Sequence, residues 1–217
     1  MTSHYGDSCA DFYDEIYGPP REDVVRALTK LARGGSVLEL GAATGRTALA
    51  LLGRGLAVAG IESSLGMLQQ LRRKSGADGM RVFEGDFATL RLAEQFHLIF
   101  ALVSTFCLLE TQKRQEQCLH NVAAMLKRDG VLVLEMFRPG GGEHEITAEG
   151  RRSHVRTELV TRTGQRIYEA RLLYPEVEVL DSMATNAGLV LEERFGDWKG
   201  SSYAPHTGNH VSVYGRT

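Results

Sequence analysis

The chain has 217 residues, a formal net charge of -2 and a sequence pI near 6.4. That length suits one domain with a sizeable core, and a domain that lives on phosphate backbones is ordinarily basic, which argues against nucleic acid as a partner. Cys9, Cys107 and Cys118 form no C-x-x-C pair, so they indicate neither a disulfide framework nor a zinc site. A reducing cytoplasm suits them. The N-terminus "MTSHYGDSCADFYDE" is too polar and acidic for a signal peptide, and no apolar run reaches membrane-spanning length.

In chain order, "PPREDVVRALTKLAR" carries Val24, Leu28, Leu31 and Ala32 at helical spacing, with Glu22 and Asp23 in the first turn. "SVLEL" reads as a buried strand. "GRTALALLGRG" reads as a helix stopped by Gly53 and Gly55, and "LAVAGIE" as a second strand. "SSLGMLQQLRRKSG" is a helix capped by Ser63 or Ser64 and stopped by Gly76. "MRVFEGD" and the almost wholly apolar "FHLIFALVS" are strands three and four. A long helix through "TQKRQEQCLHNVAAMLKRDG" buries Cys118, Val122, Met125 and Leu126, and "VLVLEMF" is strand five, closed by "RPGGG". Five strand–helix alternations predict a doubly wound, mostly parallel α/β sheet whose strand C-termini share one ligand-binding edge.

The last third differs. "SHVRTELVTRTGQRIYEARLLY" predicts a hairpin around "RTGQ", and "PEVEVLDSMATNAG" a helix between Pro175 and Gly188. "LVLEERF" and "HVSVYGR" follow with no helix between them, so they are expected to pair antiparallel. The whole reads as a seven-stranded sheet with an antiparallel last strand and a small hairpin insert after strand five. Residues 1–217 form a single domain in this reading, with 143–188 an insert on the substrate side.

The chemistry-bearing signals sit at the strand ends. "VLELGAATGR" runs from a strand into a turn of small residues, with Gly41 and Gly45 flanking "AAT". Ala43 occupies the second glycine position of a G-x-G-x-x-G fingerprint and the third glycine is missing, so a dinucleotide pyrophosphate is disfavoured. Glu62, ending the next strand, can accept both hydroxyls of a ribose, and Asp86 in "EGDF" can take an adenine amino group with Phe87 covering the base. Each carboxylate alone is equally read as a cap or a solvated strand end; together with the turn they point to an adenosine-containing ligand.

These segments, with "GIESS", "FHLIFALVSTFCLL" and "LKRDGVLVLEMF", resemble the class I S-adenosylmethionine-dependent methyltransferases across nearly the whole chain. The stretch through "LKRDGVLVLEMFRP" and the closing "AGLVLEERFGDWKGSSYAPHTGNHVSVYGR" resemble the branch that modifies small molecules, often secondary metabolites. The resemblance implies a Rossmann-like fold and S-adenosyl-L-methionine as cofactor, with S-adenosyl-L-homocysteine as product. It implies that Glu39, Gly41, Ala42 and Gly45 surround the methionine portion. Glu62 would hold the ribose, with Ser63 and Met67 beside the adenosine, and Asp86 and Phe87 would hold the adenine. Leu102, Val103 and Ser104 would face the cofactor, and Tyr13 and Tyr17 from "DFYDEIYG" would cover the sulfonium end. Three departures stand out: Ala43 for the usual middle glycine, Ser104 where close relatives often carry Asn, and Leu108 where some sugar N-methyltransferases have a candidate His base.

For the acceptor side, Glu135 near the end of strand five and His144 after "RPGGG" are the candidate bases, ahead of His154 and His206, each set against a solvated or structurally bonded role. Phe106, Phe137, Trp198 and Tyr203 are expected to line an apolar pocket; Tyr168 is read as hairpin packing. The expected activity is methyl transfer to O, N or C of a small molecule by a cytoplasmic monomer or homodimer, with no metal. The competing readings are a protein of this fold that binds the cofactor without methylating, and a nicotinamide-dependent oxidoreductase, which the incomplete glycine fingerprint opposes.

Overall fold

A computed structural model describes residues 3–137 and 143–216. In chain order the elements are α1 (Ser3–Cys9), α2 (Tyr13–Tyr17), α3 (Glu22–Ala32), β1 (Val37–Leu40), α4 (Arg46–Leu52), β2 (Val58–Glu62), α5 (Leu65–Arg72), β3 (Arg81–Glu84) and β4 (Phe96–Ala101). There follow α6 (Gln112–Met125), β5 (Leu126–Met136), β6 (Glu143–Thr147), β7 (Gly150–Thr161), β8 (Gly164–Tyr174), α7 (Val177–Asn186), β9 (Leu189–Phe195) and β10 (His210–Arg216).

Seven strands make one sheet in the order β3-β2-β1-β4-β5-β10-β9. β1 to β5 run parallel, and β10 lies antiparallel between β5 and β9. The order reverses between β1 and β4, so the loops leaving these strands diverge and open a crevice at their C-terminal edge. Strand pleat sorts the core into two layers. Val37, Val58, Leu98, Val131 and Val133 face α3 and α4, where Val24, Val25, Leu28 and Leu51 meet them. Leu38, Leu40, Ile61, Ile99, Leu132 and Leu134 face the other way, against Cys118, Leu119 and Val122 of α6 and Leu180 and Met183 of α7. Each fully buried aliphatic side chain contributes about 1.5–3 kcal/mol relative to exposure. Helix starts follow their caps: the Ser64 hydroxyl accepts from the Met67 N–H at 3.1 Å, and Thr111 Oγ1 from the Arg114 N–H at 3.3 Å.

Two expectations change. The helix expected to run to Gly130 stops at Met125, and Leu126 already pairs with Phe96. Gly130 explains how: a Cβ there would lie 2.8 Å from the Phe96 carbonyl, so the chain can turn flat against β4 only as glycine. The hairpin expected around "RTGQ" is present as β7-β8, and it gains a third antiparallel strand, β6, because the short segment Glu143–Thr147 pairs with Gly150–His154. Polar "EHEIT" carries no apolar alternation to announce a strand; β7 supplies the partner. The "RPGGG" loop, Arg138 to Gly142, lies outside the described residues.

A third apolar cluster joins Cys9, Phe12 and Met67 to Tyr5, Tyr13, Ala43, Leu159 and Tyr168, so α1 and α2 bridge the cofactor turn and the three-stranded sheet. Tyr168 packs edge-on against Tyr5, ring centroids 5.8 Å apart, in the packing role expected of it. Among the described residues no helix is long and apolar enough to cross a membrane, and no group of His, Cys, Asp and Glu is arranged to hold a metal ion.

Candidate active site

The turn after β1 is built to bring backbone close to a ligand. Gly41 has φ +68, and a Cβ there would lie 2.5 Å from Thr105 Cγ2, so both conformation and space demand glycine. Ala43 also takes a left-handed φ, 48°, at a cost of roughly 1–2 kcal/mol for a residue with a Cβ. Glu62 holds it there. Its Oε2 accepts the Ala43 N–H at 2.8 Å, while Oε1 accepts the N–H groups of Ser63 at 2.8 Å and Ser64 at 2.7 Å. Of about four lone-pair sites on a carboxylate, three are therefore taken by backbone. Burial nevertheless raises the Glu62 pKa above the ordinary carboxylate range, against the pull of the three amides.

One cleft runs past Glu62 and is lined by Tyr5, Gly6, Tyr13, Gly41, Ala43, Ser63, Met67, Phe87, Thr105 and Leu108. A second hollow continues around Gly41 and is lined by Tyr13, Glu39, Ala42, Ala43, Arg46, Thr47, Leu102, Val103 and Thr105. In the second, Glu39 is buried, and its Oε2 accepts the Ala48 N–H at 3.1 Å. Burial pushes its pKa up to about 8, partly offset by Arg46. Arg46 donates through Nη1 to the carbonyls of Tyr17 and Gly18 at 3.4 and 3.1 Å, but its buried Nε has no partner. An orphaned guanidinium donor beside a buried acid is an arrangement that can take up a zwitterion.

The N-terminal helices close over the turn. Asp14 accepts from the Thr44 hydroxyl at 2.6 Å and pairs with Lys74 at 2.6 Å; Asp7 accepts from the Ser64 hydroxyl at 2.5 Å. The Tyr13 and Tyr17 rings lie 4.6 Å apart, and the Tyr17 hydroxyl bonds that of Tyr5 at 2.9 Å. Burial drives the phenols of Tyr5 and Tyr13 well above their usual range, so they stay protonated and serve as hydrogen-bonding groups rather than bases.

Most of the residues expected around the cofactor thus meet at the β1–β2–β4 edge. Gly45 sits just below it as the left-handed cap of α4. Two stand apart. Both oxygens of Asp86 are engaged, one with Arg114 Nη2 at 2.6 Å and one with the Ala88 N–H at 2.9 Å, so Phe87 and not Asp86 lines the cleft. Ser104 is buried and turned away: its hydroxyl donates to the Phe137 carbonyl at 3.0 Å and accepts the Phe137 N–H at 2.9 Å. Tyr5, Arg46, Thr105 and Leu108 were not singled out for the cofactor. Arg46 had a legible signal, a cation directly after the glycine turn; Tyr5 had none, since α1 reaches the cleft only through tertiary packing.

On the acceptor side, Glu135 is half-buried with both oxygens occupied. Oε2 accepts the Val103 N–H at 2.7 Å and Oε1 the Trp198 indole N–H at 2.6 Å. Phe106 is a core residue, buried against α6 and β5 and not a pocket wall. It sits in the 3-10 turn Thr105–Leu108, whose pitch turns its ring inward while Thr105 and Leu108 face the cleft. Phe137 is exposed. Tyr203 lines a separate small cavity with Met136, Tyr174 and His210, under the Arg194 guanidinium. His144 pairs by backbone with Ser153, and its side chain lies outside the described set. His154 bonds Glu169 on the outer sheet, and His206 is an exposed residue of the turn Pro205–Thr207.

A doubly wound sheet with a cleft at its switch point, and a buried acid beside an orphaned guanidinium next to it, has the architecture of the Rossmann-like nucleotide-cofactor class. Comparisons narrow it. A family model described as a methyltransferase domain matches residues 37–130. The cypemycin N-terminal methyltransferase of a Streptomyces species is 31% identical over 142 residues, 62% of this chain and 58% of that enzyme. The chain therefore aligns with little more than half the length of that curated relative. The CcbJ methyltransferase from Streptomyces caelestis is 29% identical with a TM-score of 0.85, over 100% of this chain and 99% of that one. An amino pentose methyltransferase from Micromonospora echinaspora, bound to S-adenosylmethionine, shares the fold at TM-score 0.72 and 21% identity over 94% and 96% of the two chains. The chain is thus similar over its whole length to class I S-adenosylmethionine-dependent methyltransferases, and a neighbour of the same fold was solved with S-adenosylmethionine bound.

Proposed function

We propose that this chain transfers the methyl group of S-adenosylmethionine to a small-molecule acceptor by in-line displacement, with nitrogen the accepting atom that suits the site best. The observation that carries the reading is the pair of adjoining hollows, one lined by Glu62 and Tyr5 and one by Glu39 and Arg46, which share Tyr13, Gly41, Ala43 and Thr105 as walls. The cofactor supplies an already activated methyl on a sulfonium. What remains for the protein is alignment and exclusion of water, which can account for roughly 7–11 kcal/mol of the barrier. Glu39 and Arg46 grip the amino-acid end, Glu62 offers its remaining lone pair to the ribose, and Met67 and Phe87 flank the base. Tyr13 walls the hollow between them. A neutral amine already has a lone pair to present and needs no base. That matters because the carboxylate at the end of β5 is committed to Val103 and Trp198.

Residues 143–188 form the acceptor-side segment of a single domain in this reading. Similarity to the cypemycin N-terminal methyltransferase supports nitrogen and a biosynthetic acceptor. The three free cysteines suit a reducing cytoplasm. Calorimetry with S-adenosylmethionine, followed by transfer of labelled methyl to a panel of amine, hydroxyl and carbon acceptors, tests the proposal. Label appearing on no acceptor while the cofactor binds would leave a protein that holds it without methylating.

A further inference from the structure

Val103 and Ser104, at the mouth of β4, take consecutive left-handed conformations, φ 53° and 57°. For a β-branched residue such as Val103 this is a genuine outlier, and it persists only where the surroundings over-determine it. Here they do. The Ser104 N–H donates to the Glu135 carbonyl at 3.1 Å, the Ser104 hydroxyl is bonded at both ends to the Phe137 backbone, and the Val103 N–H meets Glu135 Oε2 at 2.7 Å. The last is the only one of these bonds with a charged acceptor. The other oxygen of the same carboxylate holds the indole of Trp198, in the loop after β9, at 2.6 Å. Val103 in turn walls the hollow that contains Glu39 and Arg46.

We propose that Glu135 is a positioning residue: its carboxylate sets the Val103–Ser104 turn against the amino-acid end of the cofactor and ties that turn to Trp198. The proposal rests on the reading that this hollow holds S-adenosylmethionine. It replaces the expectation of Glu135 as a base, because a base needs an oxygen facing the acceptor and both oxygens here face protein donors. It also makes the loop after β9 a partner of the cofactor site, since whatever moves Val103 pulls on the indole.

Trp198 is the single tryptophan of the chain, so emission excited selectively at tryptophan reports the surroundings of this one indole. Titration with S-adenosylhomocysteine is expected to shift Trp198 emission in the wild type. Glu135→Ala is expected to bind S-adenosylhomocysteine on the order of tenfold more weakly and to lose the emission change. Glu135→Gln separates the two functions and serves if the alanine variant does not fold. Its carbonyl oxygen still accepts from Val103, so affinity is largely kept, while its amide donor opposes the indole N–H and the emission change disappears. In a Val103→Gly background the left-handed turn is free, and the loss caused by Glu135→Ala is expected to shrink. Wild-type emission shift with unchanged S-adenosylhomocysteine affinity in folded Glu135→Ala, or an equal loss in both backgrounds, overturns the proposal. Absence of S-adenosylhomocysteine binding to the wild type overturns instead the cofactor reading beneath it.

Discussion

Glu62 and Glu135 both stand at the C-terminal end of sheet strands beside a left-handed turn, and they are held in different ways. Glu62 takes three backbone N–H groups, from Ala43, Ser63 and Ser64, two of them its immediate neighbours. Glu135 takes one backbone N–H, 32 residues away, and one indole, 63 residues away. On the cofactor half of the edge a carboxylate and its local turn make a self-contained cradle. Beside Val103 the same element is assembled from three distant parts of the chain. In the proposal above, the adenosine end of the site is thereby held by a stiff cradle of backbone amides, whereas its amino-acid end answers to the loop after β9.

Breaking the local cradle should give the largest effect. Glu62→Ala strands three N–H groups, each worth about 1–3 kcal/mol when left unsatisfied and buried. Affinity for S-adenosylhomocysteine should fall at least 100-fold by calorimetry, with a lowered melting temperature. Asp86→Asn keeps one of its two contacts, since an amide nitrogen cannot accept, and should cost less than tenfold; equal losses at the two positions would erase the distinction drawn between them.

Glu39 sharpens the comparison through pH. Its folded pKa of about 8 lies above the ordinary 4.5. Between those values the unfolded chain has released a proton that the folded chain keeps. Stability without cofactor therefore falls as pH rises through that window and levels off above about 8. Glu39→Gln should remove this slope and be the more stable protein by a few kcal/mol at pH 8.5, with little difference near pH 4. Thermal melts across pH measure it; parallel curves for wild type and variant would refute the assignment. S-adenosylhomocysteine affinity should rise with pH over the same range in the wild type and lose that rise in the variant.

Arg46→Met removes the orphaned donor and keeps the apolar stem, so a loss of about ten- to thirtyfold in S-adenosylhomocysteine affinity is expected. 5′-Methylthioadenosine, which lacks the amino-acid end, should bind wild type and variant alike. Ala43→Gly is the smallest change. It relieves a left-handed alanine but loosens the unfolded chain, so the net gain should stay within about 1 kcal/mol in a denaturant melt.

The residue pattern alone determined the alternation of strands and helices, the parallel sheet, the glycine turn and the acids at the ends of β1 and β2, because each depends on periodicity or on neighbours a few positions away. The family resemblance added the cofactor. Only the tertiary structure decided which acids remain free. Asp86 is claimed by Arg114 from α6 and Glu135 by Val103 and Trp198, partners that no spacing in the chain predicts. It also decided that Phe106 belongs to the core, that α1 brings Tyr5 over the cleft, and that β6 exists because β7 is there to pair with it. A carboxylate's availability is set by what the folded chain packs against its two oxygens, and long-range packing is the information a local pattern does not carry.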